Sequence, residues 1–163
     1  MSDKHYISEP GFNALNAEME HLLTVERPRV VNHVAAAAAE GDRSENAEYI
    51  YGKKRLREID RRVEFLSKRI DVLEVVPQPR ESVKVRFLSW VEIEDEEGET
   101  ATYRIVGADE TDAKVGWISW KSPIGRALLG KAVDDEVQVD TPGGRRECLI
   151  LNISNTGPKP AKD

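Results

Sequence analysis

The sequence predicts an α+β protein in two parts, an N-terminal antiparallel coiled-coil hairpin of two helices and a C-terminal mixed β domain. Apolar residues recur at spacings of three and four up to about residue 76. Short β-type runs alternate with turns after that point. Pro77 and Pro79 lie between the two patterns and predict a linker. We therefore predict a hairpin domain at 1–76, a β domain at 77–155 and a disordered tail at 156–163.

The composition excludes several classes of protein. The 163 residues include 24 Lys or Arg and 30 Asp or Glu, a net charge of −6, which argues against a protein that binds nucleic acid by itself. The single cysteine, Cys148, excludes an internal disulfide and a Cys-rich zinc site. The sequence has no apolar run of about 18 residues and no signal-peptide core. We expect a monomeric cytoplasmic protein without a membrane span.

The first helix is predicted to begin after Ser8, a suitable N-cap, with Glu9 and Pro10 in its first turn. Pro28 is predicted to kink this helix, and the helix is predicted to end near Gly41. Its apolar stripe begins with Phe12, Leu15, Met19 and Leu22.

The second helix is predicted at roughly 44–74, with a heptad pattern that only Gly52 interrupts. The apolar positions of this pattern are Tyr49, Leu56, Ile59, Val63, Leu66, Ile70 and Leu73. Such a seam needs a facing helix. The short break at Gly41 leaves the first helix as its antiparallel partner.

Strands are predicted in the second half at 83–87, 90–93, 102–106, 117–120, 137–139 and 148–151. Ser122 and Pro123 are predicted to open a short helix that Gly130 closes.

Charge is segregated along the predicted hairpin. Residues 53–69 contain eight basic and three acidic residues, whereas 40–48 contain four acids and one base. A solvated helix with internal ion pairs explains the basic run simply. A surface that follows a phosphate backbone or lines an acidic channel is the alternative. Six of these eight basic residues are the candidates for such a surface, namely Lys53, Lys54, Arg55, Arg57, Arg61 and Arg62.

Asp42 and Glu45 lie three residues apart where the second helix is predicted to begin. They have the spacing of a capping box, with Asp42 as N-cap and Glu45 at the third helical position. Alternatively, both carboxylates project from an exposed tip toward Mg²⁺, which accepts a few carboxylates together with waters and phosphates. Two carboxylates make a weak site, so the remaining ligands would come from another macromolecule and no ion would bind stably to this chain alone.

The segment 41–49 and the basic stretch that follows it resemble the bacterial Gre transcript-cleavage factors. The stretch 53–62 favours the GreB branch over the GreA branch. The resemblance covers roughly residues 6–154 in order. Further matching segments are 26–28, 90–93, 103–107, 122–131 and 141–144.

This resemblance implies an FKBP-like C-terminal domain that docks at the rim of the secondary channel of RNA polymerase through Ser122 and Pro123. The hairpin would enter the channel, and Asp42 and Glu45 would help to hold the second Mg²⁺ jointly with the polymerase active site. The polymerase, and not this protein, would then hydrolyse the 3′ end of a backtracked transcript. Arg43 and Asn46 would support the tip.

The resemblance also implies that the basic residues of the second helix lie near the RNA 3′ end. Two residues depart from the family pattern. Lys121 stands where GreB-like proteins usually carry an acid, and Glu64 stands where related chains often carry a base.

Three other functions fit parts of the pattern. They are an FKBP-like prolyl isomerase, a channel-binding regulator that does not stimulate cleavage, and a structural coiled-coil adaptor. Fold does not imply function, so the isomerase is disfavoured. Retention of Asp42 and Glu45 favours a cleavage factor over the other two.

Overall fold

A computed structural model describes residues 4–41 and 45–158. These residues form two compact units, one of which is Phe12–Leu73. The other unit joins the described residues up to Gly11 with those from Glu74 onward. The boundary between the units lies after Leu73, whereas the predicted boundary lies after residue 76, and the N-terminal segment belongs with the β domain. Of the predicted tail, Thr156 donates a backbone hydrogen bond to Ser154 Oγ at 3.3 Å, and residues from 159 lie outside the described range.

The first helical run comprises α1 (Glu9–His21), a π-helical turn (Leu22–Glu26) and α2 (Arg27–Ala39). Ser8 Oγ accepts from the Gly11 amide at 3.1 Å, in agreement with its predicted capping role. The run stays helical through Pro28, and the Arg27 amide donates to the Leu22 carbonyl. This wider turn accommodates a proline that has no N–H to donate.

The second helical run is α3 (Ala47–Val72), which begins later and ends earlier than predicted. Leu73, the last predicted seam residue, lies instead in strand β2 (Leu73–Val76). Much of the rest of the apolar seam agrees with the heptad pattern, because Leu22, Ile59 and Leu66 are buried together. Tyr49 and Leu56 are partly buried outside this cluster. Partly buried residues packed against these three are Leu15, Met19, Val30, Val63 and Ile70. None of the helices in the described part of the chain is long and apolar enough to cross a membrane.

Gly52 interrupts the heptad pattern for a packing reason. A Cβ placed on Gly52 would lie 2.5 Å from Val34 Cγ2, which is closer than non-bonded carbons approach. Ala37, on the facing helix, is only 2% exposed. Small residues therefore allow α2 and α3 to approach closely near the hairpin tip.

The second unit contains a five-stranded mixed sheet of order β5-β4-β3-β7-β6. The strands are β3 (Trp90–Asp95), β4 (Thr100–Val106), β5 (Trp117–Ser119), β6 (Glu136–Thr141) and β7 (Gly144–Ser154). The β4–β5 pair is parallel and the other pairs are antiparallel. Helix α4 (Pro123–Leu128) contacts β6. The α+β class is thus confirmed.

The predicted strand at 83–87 is wrong. This segment makes only an isolated bridge between Lys84 and Ala132. Val85 is nevertheless 2% exposed and belongs to the core of the sheet. Phe87 is partly buried, whereas Val83 is 80% exposed, so the alternating pattern reflects neither strand pairing nor burial of all its apolar residues.

An N-terminal clasp, which the sequence analysis missed, consists of Tyr6, Ser8, Gly107 and Glu110. Strand β1 (His5–Ser8) pairs with β2, and the Tyr6 ring packs against Phe87 and Trp120. The Glu110 carboxylate accepts from the Ser8 amide at 3.0 Å and from the Gly107 amide at 3.1 Å. It also accepts from the Ser8 hydroxyl. One carboxylate thus holds the start of α1 to the C-terminal unit.

Replacing Glu110 with alanine is expected to loosen this clasp. The change leaves two amides and a hydroxyl without their acceptor, which costs about 1–3 kcal/mol when such groups are buried. We expect a lower unfolding midpoint in urea and faster hydrogen exchange across residues 5–11. Glu97→Ala, in an exposed turn, is the matched control with an expected change below about 0.5 kcal/mol. Equal effects of the two substitutions would contradict the clasp.

Candidate functional site

The candidate site lies at the hairpin tip, between the end of α2 and the start of α3. Asp42 and Arg43, two of the predicted tip residues, lie outside the described residues. Glu45 lies in the turn before α3 and is exposed. The capping-box interpretation is wrong, because α3 begins at Ala47 and its N-cap is Asn46. Glu45 is therefore not used as a helix cap, and its carboxylate faces solvent.

Asn46 joins the two sides of the tip. Its Oδ1 accepts from the Tyr49 amide at 3.2 Å, and its Nδ2 donates to the Ala37 carbonyl at 2.7 Å. The first bond satisfies an amide at the start of α3, and the second satisfies a carbonyl near the end of α2. Asn46 can therefore hold the backbone on either side of the tip loop, which is a physical basis for the predicted supporting role.

The tip carboxylates are hard oxygen ligands of the kind that Mg²⁺ prefers. Among residues 4–41 and 45–158, no cluster of three or more His, Cys, Asp or Glu side chains is arranged to hold a metal ion. An exposed Glu45 fits a role in which it contributes one or two oxygens to an ion whose other ligands lie on another molecule.

Two of the six predicted shaft cations are held in ion pairs across the hairpin. Arg62 forms a two-pronged pair with Glu18, with Nε–Oε1 at 2.7 Å and Nη2–Oε2 at 2.9 Å. This hydrogen bonding lowers the pKa of Glu18. Arg55 pairs with Glu26 and, at 3.3 Å, with Glu58. Arg55 and Arg62 therefore brace the two helical runs against each other.

The other four cations, Lys53, Lys54, Arg57 and Arg61, are exposed. Within the described part of the chain, none of these four forms an ion pair. The acids expected to neutralise them are engaged elsewhere, since Glu58 contacts Arg55 and Asp60 contacts Arg27 at 2.9 Å. The structure therefore leaves uncompensated positive charge on α3 near the tip.

Glu64, one of the two departures from the family pattern, pairs with Lys68 on the same helix at 2.9 Å. This hydrogen bond lowers the pKa of Glu64. The negative charge of Glu64 is thus opposed locally by Lys68, and it lies beyond the four exposed cations along α3.

The predicted docking residues lie at the start of α4. Ser122 Oγ donates to the Ser119 carbonyl at 2.6 Å and accepts from the Gly125 amide at 3.1 Å, so the predicted cap of this helix is confirmed. Pro123 is exposed. Lys121 Nζ lies 5.4 Å from the centroid of the Trp120 ring. Ser122 therefore shapes this corner, while Pro123 presents an apolar surface to solvent.

A cleft of about 210 Å³ lies in the β domain, the part of the chain that a prolyl isomerase of the kind considered above would use. Its volume lies below the roughly 300–1,000 Å³ of typical small-molecule sites. Its lining includes Ile93, Tyr103, Ile124 and Cys148. Cys148 is 8% exposed, and burial raises its pKa, which disfavours the reactive thiolate. These properties disfavour an enzyme site in this cleft.

Comparison with known proteins places the chain in a family. The family model described as "Transcription elongation factor, N-terminal" matches residues 5–75, and the one described as "Transcription elongation factor, GreA/GreB, C-term" matches residues 80–155. The chain belongs to the GreA/GreB family. The family predicted from the motifs is thus confirmed, and this chain is a transcription elongation factor of the GreB type.

Curated GreB relatives match almost the whole chain. Transcription elongation factor GreB of Pasteurella multocida is 56% identical over 155 residues, which cover 94% of this chain and 96% of that protein. The GreB protein of Haemophilus ducreyi is 54% identical over 154 residues, which cover 94% and 95%. A crystal structure of GreA factor homolog 1 of Thermus thermophilus is 23% identical, with a TM-score of 0.43 over 93% of this chain and 99% of that one.

Sequence reasoning on this GreB-type chain missed the contacts that separate bracing cations from exposed ones. Glu18 and Arg62 are 44 residues apart, and Glu26 and Arg55 are 29 apart. The antiparallel hairpin was a usable signal, because it places early residues of the first run beside late residues of α3. Pairing the charges across that hairpin would have identified both braces.

Proposed function

We propose that this GreB-type factor inserts its hairpin tip into the secondary channel of RNA polymerase and stimulates Mg²⁺-dependent cleavage of the 3′ end of backtracked nascent RNA. Cleavage would rescue arrested elongation complexes. The observation that carries this proposal is the exposed Glu45. It lies three residues after Asp42 and just before helix α3, whose N-cap is Asn46. We place this activity in the cytoplasm and assign it to a monomer.

Cleavage of the RNA would require only two carboxylates from this chain. Phosphodiester hydrolysis with two metal ions uses one ion to activate water and the other to stabilise the leaving oxygen. Asp42 and Glu45 would add two negative oxygen donors to an ion that polymerase alone holds loosely. They would also orient the attacking water. Polymerase supplies the remaining ligands and the RNA, so this protein is a stimulator and not itself a nuclease.

The rest of the molecule supports delivery of these carboxylates. The alanines of 35–39 and the close approach at Gly52 make the hairpin slim near its tip. Lys53, Lys54, Arg57 and Arg61 offer positive charge to the phosphates of the extruded RNA. Ser122 and Pro123 are assigned to docking at the channel rim, with Lys121 beside them. A net charge of −6 suits a factor that meets RNA only within its partner enzyme.

The test uses stalled, backtracked polymerase that carries RNA labelled at its 3′ end. Adding this protein with Mg²⁺ is expected to release short labelled fragments, and the protein with free RNA alone is expected to release none. Polymerase binding without fragment release would instead indicate a channel-binding regulator. Proline isomerisation of a test peptide by the full chain would indicate the isomerase. Cleavage of free RNA would contradict the assignment of hydrolysis to polymerase.

A further inference from the structure

A groove of about 450 Å³ lies on the hairpin between α2 and α3, close to the tip. Its buried side is formed by Ala37 and Gly52, at the place where the two helices approach closely. His33 and Tyr51 line it from the two helices. The remaining lining residues are Val30, Ala36, Glu40, Glu48 and Arg55.

Tyr51 is unusually exposed for an aromatic residue, at 73% of its surface. Within the described residues, no ring stacking, hydrogen bond or ion pair engages its side chain. Packing against the seam would have removed this ring from water and stabilised the hairpin. The ring therefore contributes little to the fold and is free to meet a partner.

Tyr51 lies at one end of a line of cations on α3. Residues three or four apart are neighbours on a helix, so Tyr51, Lys54, Arg57 and Arg61 form a continuous row. Ten residues of helix extend about 15 Å. The three cations have no acidic partner within the described residues. An exposed aromatic beside a positive track is the combination that single-stranded nucleic acid binding uses.

The acids of the groove indicate how such a ligand would be oriented. Glu40 and Glu48 line the groove, where they repel phosphate and can accept hydrogen bonds from the amino groups of a base. The cationic row outside attracts phosphate. Charge thus favours a base inside the groove and a backbone along the row, and it favours RNA over an apolar protein side chain.

We propose that Tyr51 stacks on a base of the extruded 3′ segment of the transcript while its phosphates follow Lys54, Arg57 and Arg61. This inference rests on the proposed function, because polymerase brings the RNA to the hairpin. Tyr51 is then a positioning residue, which acts on the RNA on the 3′ side of the reacting bond. Its effect depends on a segment long enough to reach the groove.

The test compares Tyr51→Ala and Tyr51→Leu, which remove the aromatic ring, with Tyr51→Phe, which keeps it. A photoreactive base is placed in the extruded segment of complexes backtracked by several nucleotides. The Ala and Leu variants are expected to lose crosslinking to α3 about tenfold, whereas Phe keeps it. Phe65→Ala is the matched control, since Phe65 is 50% exposed on the same helix and farther from the tip.

Cleavage rates provide a second readout. The Ala and Leu variants are expected to slow fragment release from complexes backtracked by several nucleotides and to match wild type in complexes backtracked by one. Wild-type crosslinking and cleavage rates in Tyr51→Ala would overturn the stacking role while the proposed function stands. Loss of polymerase binding in Tyr51→Ala would overturn the stacking role and indicate instead that Tyr51 contacts polymerase. Absence of fragment release with the wild-type protein would overturn the proposed function itself.

Discussion

Asp42→Asn combined with Glu45→Gln is expected to reduce fragment release from backtracked polymerase by about a hundredfold or more. The amides keep the size of the side chains but remove two negative charges from the ligands of a weakly held ion. Asn46 continues to cap α3, so the tip backbone keeps its support. Binding to polymerase is expected to remain within about twofold of wild type, because docking is assigned to the C-terminal unit. Competition with labelled wild-type protein measures this binding.

The control for this double variant is Glu64→Gln combined with Asp71→Asn. Both residues are exposed on α3, so the change in net charge is the same. This control is expected to cleave as wild type, because an exposed ion pair such as Glu64–Lys68 contributes little to stability. Raised Mg²⁺ is expected to restore part of the activity of the tip variant. Wild-type cleavage by the tip variant would exclude a metal role for Asp42 and Glu45.

Leu66→Ala is expected to destabilise the hairpin unit by about 2–5 kcal/mol. Leu66 is fully buried, and only two other described residues of the seam, Leu22 and Ile59, are buried with it. A core this narrow has few neighbours that can move into the cavity. The matched control is Phe65→Ala, whose ring is 50% exposed and lies 5.3 Å from the Arg62 guanidinium carbon. We expect the control to cost about 1 kcal/mol or less.

The two units offer separate spectroscopic signals for this measurement. All three tryptophans, Trp90, Trp117 and Trp120, lie in the C-terminal unit, whereas most helical residues lie in the hairpin. Far-ultraviolet circular dichroism therefore reports mainly the hairpin, and tryptophan fluorescence reports the β domain. Leu66→Ala is expected to lower the urea midpoint of the transition that circular dichroism reports and to leave the midpoint that tryptophan fluorescence reports unchanged. An unchanged urea midpoint by circular dichroism would contradict the role of the apolar seam in stabilising the hairpin.

The hairpin was predictable because its determinants are local and periodic. The spacings from Leu56 to Ile70 define one face of a helix, and an exposed break at Gly41 defines the partner. The helix start was less predictable, since Asp42, Glu45 and Asn46 are all residues that occur near N-caps. Asn46 takes the N-cap position because its side-chain amide also donates to the Ala37 carbonyl across the tip. A carboxylate has no hydrogen to donate and cannot make this contact.

The sequence alone determined the two-part α+β fold, the family and the candidate tip carboxylates, because periodicity and motif spacing are properties of neighbouring residues. Only the tertiary structure decided which cations brace the hairpin and which remain exposed. It also decided that Glu110 holds Ser8, 102 residues away, and that a groove between α2 and α3 lies beside Tyr51. Such features depend on which distant side chains meet in three dimensions. The local pattern of a single sequence carries little information about such long-range side-chain contacts.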